Sequence, residues 1–224
     1  ALDAKILPVV RYRVGLKVSQ LTSWQELHGE RLLGFVINGL TRHQGMDTGI
    51  RLVPSMNAEG LVTFGIIPED RRLLAVSVRQ LASKLDGRFI AGEKFADDLV
   101  EHFMVGGLGL DNGTDYFALR ENKAAIIRGD RPDIQMAALQ TPMSCMVLTK
   151  GIEPIEYVKC EAELEEVPII IVQTDTLTTM DLLNEMLESA QFNHPAKLNR
   201  LSELLREHVN LEAIYAELGP ESSI

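Results

Sequence analysis

The sequence predicts an α/β protein built on parallel sheets. Three observations predict it: strand-length apolar runs bounded by Gly, Pro or Asn, intervening stretches with apolar residues every three or four positions, and the alternation of the two along the chain. Residues 6–10 (ILPVV), 33–37 (LGFVI) and 61–67 (LVTFGII) read as the first three strands. Helical spacing joins Val18, Leu21, Trp24 and Leu27 or His28. It recurs at Val78, Leu81, Ala82 and Leu85, where Ser77 suits an N-cap.

A second series begins at Arg88. Strands are expected at 88–91, 124–127, 145–148 and 169–172, with helices near 97–104, 133–139, 153–163 and 176–190. Two helices close the chain. Pro195, in a first-turn position, opens one that carries Leu198, Leu201, Leu204, Leu205 and His208 on a stripe; residues 211–218 form the other, stopped by Gly219-Pro220. Packing within the chain accounts for the leucine stripe, with a second copy of the chain as the alternative.

Composition sets the class. The 224 residues are 46% hydrophobic and 24% charged, which suits one large or two small domains with ordinary cores and excludes disordered or collagen-like chains. No apolar run approaches the roughly 18–20 residues of a spanning helix, and the start ALDAKILPVVRYR lacks the layout of a signal peptide, so a cytoplasmic protein without membrane partners is expected. Cys145 and Cys160 lie outside any CxxC or metal spacing, which signals neither a disulfide framework nor a zinc site. Residues 1–72 carry nine Lys and Arg against seven Asp and Glu, a net +2, so residues 73–224 hold −12 of the overall −10. Such an acidic surface repels phosphate backbones, and nucleic acid is not an expected partner.

Catalytic patterns are absent. His28, His43, His102, His194 and His208 are scattered without HxxxH spacing, no GxSxG elbow occurs, and GxxxxGK[ST] is missing, so no catalytic residue, metal site or cofactor is indicated. The glycine-dense segment 106–113 (GGLGLDNG) fails the dinucleotide fingerprint because Asn112 stands at the third glycine, and it reads as a loop. The acidic stretch 153–166 reads equally well as a partner surface or a solvated helix face.

Three polar strand ends are the candidate site. Asp130 and Arg131 follow the strand at 124–127, where open parallel sheets bind ligands, and Arg128 and Arg131 would hold an anion beside the following helix. Plain helix-start chemistry also fits, with Asp130 as N-cap, Pro132 in the first turn and Asp133 at N3. Lys150 follows the strand at 145–148, and Thr174, Asp175 and Thr176 follow the one at 169–172. Together these residues form a pocket for a small anion or nucleotide; taken singly, Gly151 eases a turn and Thr174 or Asp175 caps a helix.

Several strings carry a family resemblance: FVINGL (35–40), FGIIPEDRRLLAVSVRQLASKL (64–85), GDRPDIQMAAL (129–139), VLTKGIEP (147–154) and VPIIIVQTDTLTTMDLLNEML (167–187). Over nearly the whole chain they resemble proteins that join a dethiobiotin-synthetase-like ATPase domain to a DRTGG domain. The same pair occurs on the N-terminal side of long phosphate acetyltransferases. The resemblance implies residues 1–86 as the C-terminal part of the ATPase-like domain, a P-loop-like parallel sheet represented by its second half only. Residues 87–224 would be a DRTGG domain, a three-layer α/β fold similar to the N-terminal domain of HPr kinase/phosphorylase. Pro132-Asp133 stand where the motif name has Thr-Gly.

On this resemblance the chain is a regulatory, ligand-sensing or protein-interaction module without catalytic activity of its own. The alternative is a fragment of a P-loop ligase-like or phosphate acetyltransferase-associated enzyme whose catalytic parts lie outside it. Asn38, expected at a strand end, resembles a base-recognition Asn, and Pro68 belongs to the adjacent loop; turn chemistry at Asn38-Gly39 and a strand stop at Pro68 are the favoured account of both. A half sheet exposes an edge, so residues 1–72 are expected to pair with another copy or to be poorly ordered, and the chain to form a homo-oligomer.

Overall fold

The computed structural model describes residues 4–41, 51–107, 113–188, 192 and 194–219. The chain forms two compact units, one made of the residues up to Asp70 with those from His194 onward, the other of Arg71–Asn193.

The first unit holds three parallel strands in the order β1 (Val9–Arg11), β2 (Phe35–Leu40) and β3 (Thr63–Pro68), with α1 (Val18–His28) and α2 (Val53–Ala58) between them. Leu21, Phe35, Ile37, Met56 and Leu61 make its core. The apolar runs locate these strands, but each begins two or three residues later than expected and runs past the expected carboxyl end, β2 by three residues. Asn38 therefore lies inside β2 instead of ending it, and Gly39, at φ +79°, absorbs an irregularity in pairing between Asn38 and Leu40. The short α2, with Pro54 in its first turn, was not expected from the pattern.

The last two helices, α9 (Pro195–His208) and α10 (Leu211–Leu218), belong to this first unit. Val209, between them, forms an antiparallel bridge to Gly65, and the Asn210 amide donates to the Phe64 carbonyl at 2.8 Å. The free edge of β3 is thus covered by the chain itself. Arg200 adds an ion pair to Asp70 at 2.8 Å, and Leu204 of the leucine stripe is buried. The division drawn from sequence at 86/87 assigns these helices to the second domain; the pairing of Val209 with Gly65 puts them on the first.

The second unit begins with α3 (Arg71–Leu74), β4 (Val76–Ser77) and α4 (Val78–Lys84). Ser77 caps α4 as expected: its hydroxyl accepts from the Gln80 amide at 3.1 Å, and the Gln80 side chain accepts from the Ser77 amide at 2.9 Å. A five-stranded sheet follows, in spatial order β5 (Arg88–Ala91), β10 (Ile169–Ile171), β9 (Cys145–Thr149), β8 (Lys123–Arg128) and β7 (His102–Gly106). The last four are parallel and β5 runs antiparallel along one edge.

The expected helix at 97–104 is not formed. Its residues instead make β6 (Leu99–Val100), paired antiparallel with β4, and β7, paired in register with β8. Leu99, Phe103 and Met104 share a helical spacing, yet Val100, Phe103 and Val105 are β-formers, and the hydrogen bonds offered by β8 decide the outcome.

Alternate residues of the central strands feed two cores. Ala124, Ile126, Cys145, Val147 and Ile170 meet α4 and α8 (Thr176–Glu188) on one face. Ala125, Ile127, Met146, Leu148 and Ile169 meet α5 (Gly113–Ala118), α6 (Pro132–Leu139) and α7 (Glu156–Leu164) on the other. The result is a three-layer α/β unit. Helix α7 starts three residues later than expected, since Pro154 and the extended Ile155 precede it. Of the glycine-dense segment, residues 108–112 lie outside the described residues, and Gly113 already belongs to α5.

Candidate functional site

Parallel pairing aligns the carboxyl ends of β8, β9 and β10, where Arg128 stands opposite Thr149 and Leu148 opposite Ile171. The crossover after β9 leads to α7 on one face, whereas the chain after β10 enters α8 on the other. The loops therefore diverge between β9 and β10, the arrangement that opens a ligand crevice in α/β sheets. Lys150, Thr174, Asp175 and Thr176 all stand at this divergence.

The turn after β9 is built tightly. Lys150 and Gly151 have φ of +69° and +65°, consecutive left-handed residues. That conformation costs a lysine about 1–2 kcal/mol. Their amides donate to the Thr174 and Val172 carbonyls at 2.8 Å each, which binds the turn to the end of β10. Thr149 and Thr176 share a hydroxyl contact at 3.2 Å. The Lys150 side chain is exposed above this backbone.

Asp175 caps α8, its carboxylate accepting from the Thr178 amide at 2.8 Å. Those Thr178 bonds hold its carboxyl below the ordinary range, and the Lys150 ammonium lowers it further. Thr174 and Thr179 hydroxyls meet at 2.7 Å, and Thr179 also donates to the Asp175 carbonyl. The sequence expectation of a cap here is met by Asp175.

The β8 end is organised by two short-range pairs. Asp130 does not cap α6, as the helix-start reading had it; its carboxylate takes both Nε and Nη2 of Arg128. Arg131 occupies the N-cap position without a side-chain cap, and its guanidinium binds Asp133 through two bonds of 2.9 and 2.7 Å. An arginine and an aspartate two residues apart satisfy each other across a tight turn through paired, charge-assisted bonds. Hydrogen bonding to Arg128 holds the Asp130 carboxyl low, with a smaller contribution from Lys150. Hydrogen bonding to Arg131 does the same for Asp133. Lys150 thus acts electrostatically on Asp130 on one side and Asp175 on the other.

Two residues that sequence reasoning passed over hold this end together. Gln135 is fully buried and donates from Nε2 to the Arg128 and Gly129 carbonyls at 2.9 and 3.0 Å, while its Oε1 has no hydrogen-bond partner. Gly129 lies so close to the β9 turn that a β-carbon there would sit 2.2 Å from the Ile152 carbonyl oxygen. A buried glutamine in a helix's first turn was the available signal for the former; the latter depends on a residue 23 positions away.

Asn38 and Pro68 lie in the first unit. Asn38 is exposed, its carbonyl accepts from the Tyr12 amide at 2.7 Å, and it is paired with Arg11 and Ile67 in the sheet; Pro68 is paired with Leu40. The acidic stretch is solvated: Glu153 and Arg88, both exposed, pair at 2.8 Å, and Glu153 lies 3.7 Å from the half-buried Lys159. Among the described residues no group of three or more His, Cys, Asp or Glu could hold a metal ion, and no helix is long and apolar enough to cross a membrane.

Residues 80–186, which contain the whole strand-end cluster, match the DRTGG domain model. The chain carries a DRTGG domain. Across 173 residues, 73% of the chain, it is 23% identical to a phosphate acetyltransferase of Nitratidesulfovibrio vulgaris, and that match spans 24% of the longer protein. The structure is similar, with a TM-score of 0.44 and 17% identity, to the CBS and DRTGG domains of the regulatory region of a Clostridium perfringens pyrophosphatase complexed with its activator, diadenosine tetraphosphate; the likeness covers 65% of this chain and 71% of that one. The DRTGG domain model ends before α9, and the three-layer sheet that it covers is the second unit's.

Proposed function

We propose that the chain is a regulatory, ligand-sensing module without catalytic activity of its own, whose DRTGG domain takes up a small anion or nucleotide at the carboxyl ends of β8, β9 and β10. The single observation that carries the reading is Lys150. An exposed ammonium is mounted on a left-handed turn where the β9 and β10 loops diverge, between Asp130 and Asp175. Strain of this kind persists where surrounding structure over-determines it, and it concentrates at ligand sites.

In this reading Lys150 supplies the charge for a phosphate, and the Thr174 and Thr176 hydroxyls supply hydrogen bonds. Asp175 accepts from hydroxyls of a sugar. Arg131 joins by exchanging Asp133 for the ligand, as does Arg128 by releasing Asp130. Ligand binding would break those pairs, and the altered loop is what a partner protein reads. In keeping with the resemblance, we place the module in the cytoplasm, self-associating, with residues 1–86 derived from a dethiobiotin-synthetase-like domain; Asn38 and Pro68 would then mark a vestigial base-binding end. A second reading, a segment of a phosphate acetyltransferase-associated enzyme with its catalytic parts elsewhere, is supported by a match that spans 24% of that relative.

Titration of the chain with ATP and with inorganic pyrophosphate, followed by calorimetry and by amide chemical shifts, tests the proposal. Saturable binding that shifts residues 149–151 and 174–176, and that Lys150→Met abolishes without changing the melting temperature, is the expected result. Binding unaffected by both Lys150→Met and Arg131→Ala would overturn it.

A further inference from the structure

A second concavity lies on the opposite side of the DRTGG domain's sheet order, at the β7 edge. His102, Phe103 and Met104, the first three residues of β7, line it with Tyr116 of α5, Leu119 and Arg120 of the turn that follows, and Arg71 of α3. Its volume is ≈ 380 Å³, within the range of roughly 300–1,000 Å³ typical of small-molecule sites. None of these residues belongs to the strand-end cluster.

The charge of this cavity differs in kind from that cluster. At the strand ends each arginine is closed by a bidentate aspartate two residues away. Among the described residues, neither Arg71 nor Arg120 forms an ion pair with a carboxylate. Glu101, the acidic residue just before β7, accepts instead from the Asn122 side-chain Nδ2 at 3.1 Å. Both guanidiniums nevertheless lie close enough to His102 to act on it: its pKa is lowered first by burial, then by Arg71 and Arg120, with Glu101 opposing.

The wall carrying Arg120 is held by a costly device. Lys123 is fully buried, and its ammonium donates to the Arg120 and Pro142 carbonyls instead of to any carboxylate. Burial lowers its pKa. A desolvated lysine spent on two backbone carbonyls fixes the turn from which Arg120 projects, so the position of one guanidinium is built into the fold.

We propose that this cavity binds a small organic phosphate, its phosphoryl group held by Arg71 and Arg120 and its organic body resting on Phe103 and Tyr116. Two guanidiniums from separate segments match a phosphate dianion in charge and offer paired N–H donors. His102, neutral beside them, donates or accepts a further hydrogen bond, and the Tyr116 hydroxyl is the remaining polar group. The site is independent of the strand-end reading and stands whether or not that reading holds.

Phenyl phosphate, with inorganic phosphate as the minimal probe, tests this on the full chain by calorimetry and by following the His102 imidazole resonances with pH. Saturable phenyl phosphate binding, tighter than that of inorganic phosphate, is expected. Loss of one charge-assisted contact in Arg71→Gln or Arg120→Gln should weaken it by about tenfold or more. Lys150→Met should leave it unchanged. Because the bound anion offsets Arg71 and Arg120, the His102 midpoint rises toward its ordinary value when the site is filled; in either arginine variant it rises without ligand. Binding that Lys150→Met removes and the arginine variants spare would assign the ligand to the strand ends and overturn the proposal. So would a His102 midpoint unmoved at saturation, a wild-type measurement that holds even if a variant fails to fold.

Discussion

Gly65 and Val209 pair across an antiparallel bridge so close that a β-carbon on Gly65 would lie 2.1 Å from the His208 carbonyl oxygen and 2.8 Å from the Val209 Cα. This bare stretch of β3 is where the C-terminal helices fasten to a strand some 140 residues earlier in the chain. Gly65→Ala would ordinarily stabilise by about 0.4–1 kcal/mol by stiffening the unfolded chain. Here overpacking against backbone should reverse the sign, at a cost of about 1–3 kcal/mol. Amide exchange in 195–218 should accelerate while that of β8 and β9 stays protected; unchanged exchange in α9 and α10 would show that the bridge does not hold them.

The left-handed turn after β9 yields a second prediction. Lys150→Gly relieves about 1–2 kcal/mol of backbone strain and forfeits about 0.5–1 kcal/mol to the greater freedom of glycine when unfolded. The balance favours the variant. Its melting temperature should rise by about 1–4 °C, whereas Lys150→Ala, still strained, should gain nothing. If the proposed site is used, Lys150→Gly is at once the more stable protein and the weaker binder, a trade expected where strain serves function. Equal melting temperatures for the glycine and alanine variants would remove the strain argument.

The two cysteines should behave differently toward a thiol reagent. Cys145 is buried in the middle of the sheet, and burial pushes its thiol well above the ordinary value; Cys160 is exposed on α7. Only the thiolate reacts. Native protein should therefore label once, rapidly, at Cys160, and the second label should appear at the rate of unfolding. Rapid native labelling at Cys145, located by peptide mapping, would show that the sheet opens locally.

Acid sensitivity should concentrate at the strand ends. The carboxyls of Asp130, Asp133 and Asp175 are all held below 3.8, by Arg128, by Arg131 and by the Thr178 bonds respectively. A depressed carboxyl contributes stability that is fully present above its unfolded value of about 3.8 and is lost as pH falls through the folded value. These groups are exposed and screened, so each effect is small. The triple variant Asp130→Asn, Asp133→Asn, Asp175→Asn should melt lower at pH 7 and show a shallower loss of melting temperature below about pH 4 than the parent chain. A parallel acid limb would place the acid-labile groups elsewhere.

Much of this architecture is local and was therefore legible in the sequence. Fully buried parallel strands must be continuously apolar, which is why AAII, CMVL and IIIV were recognisable before any fold was known. Ser77 and Pro195 announce helix starts because capping is settled within one turn. The strand-end polar residues could be named for the same reason, since a loop after a parallel strand must lie at its carboxyl end.

Tertiary structure decided the rest. Residues 99–105 carry a spacing that a helix could use, and only pairing with β8 makes part of them an edge strand. Whether Arg128 and Arg131 face a ligand or an aspartate depended on the geometry of one turn. Arg71, His102 and Arg120 converge from segments up to 49 residues apart, and Gly65 needs to be bare because of a residue 144 positions later. Local propensity fixes what each segment prefers; hydrogen bonds and close approach between distant segments decide which preference survives and which side chains meet.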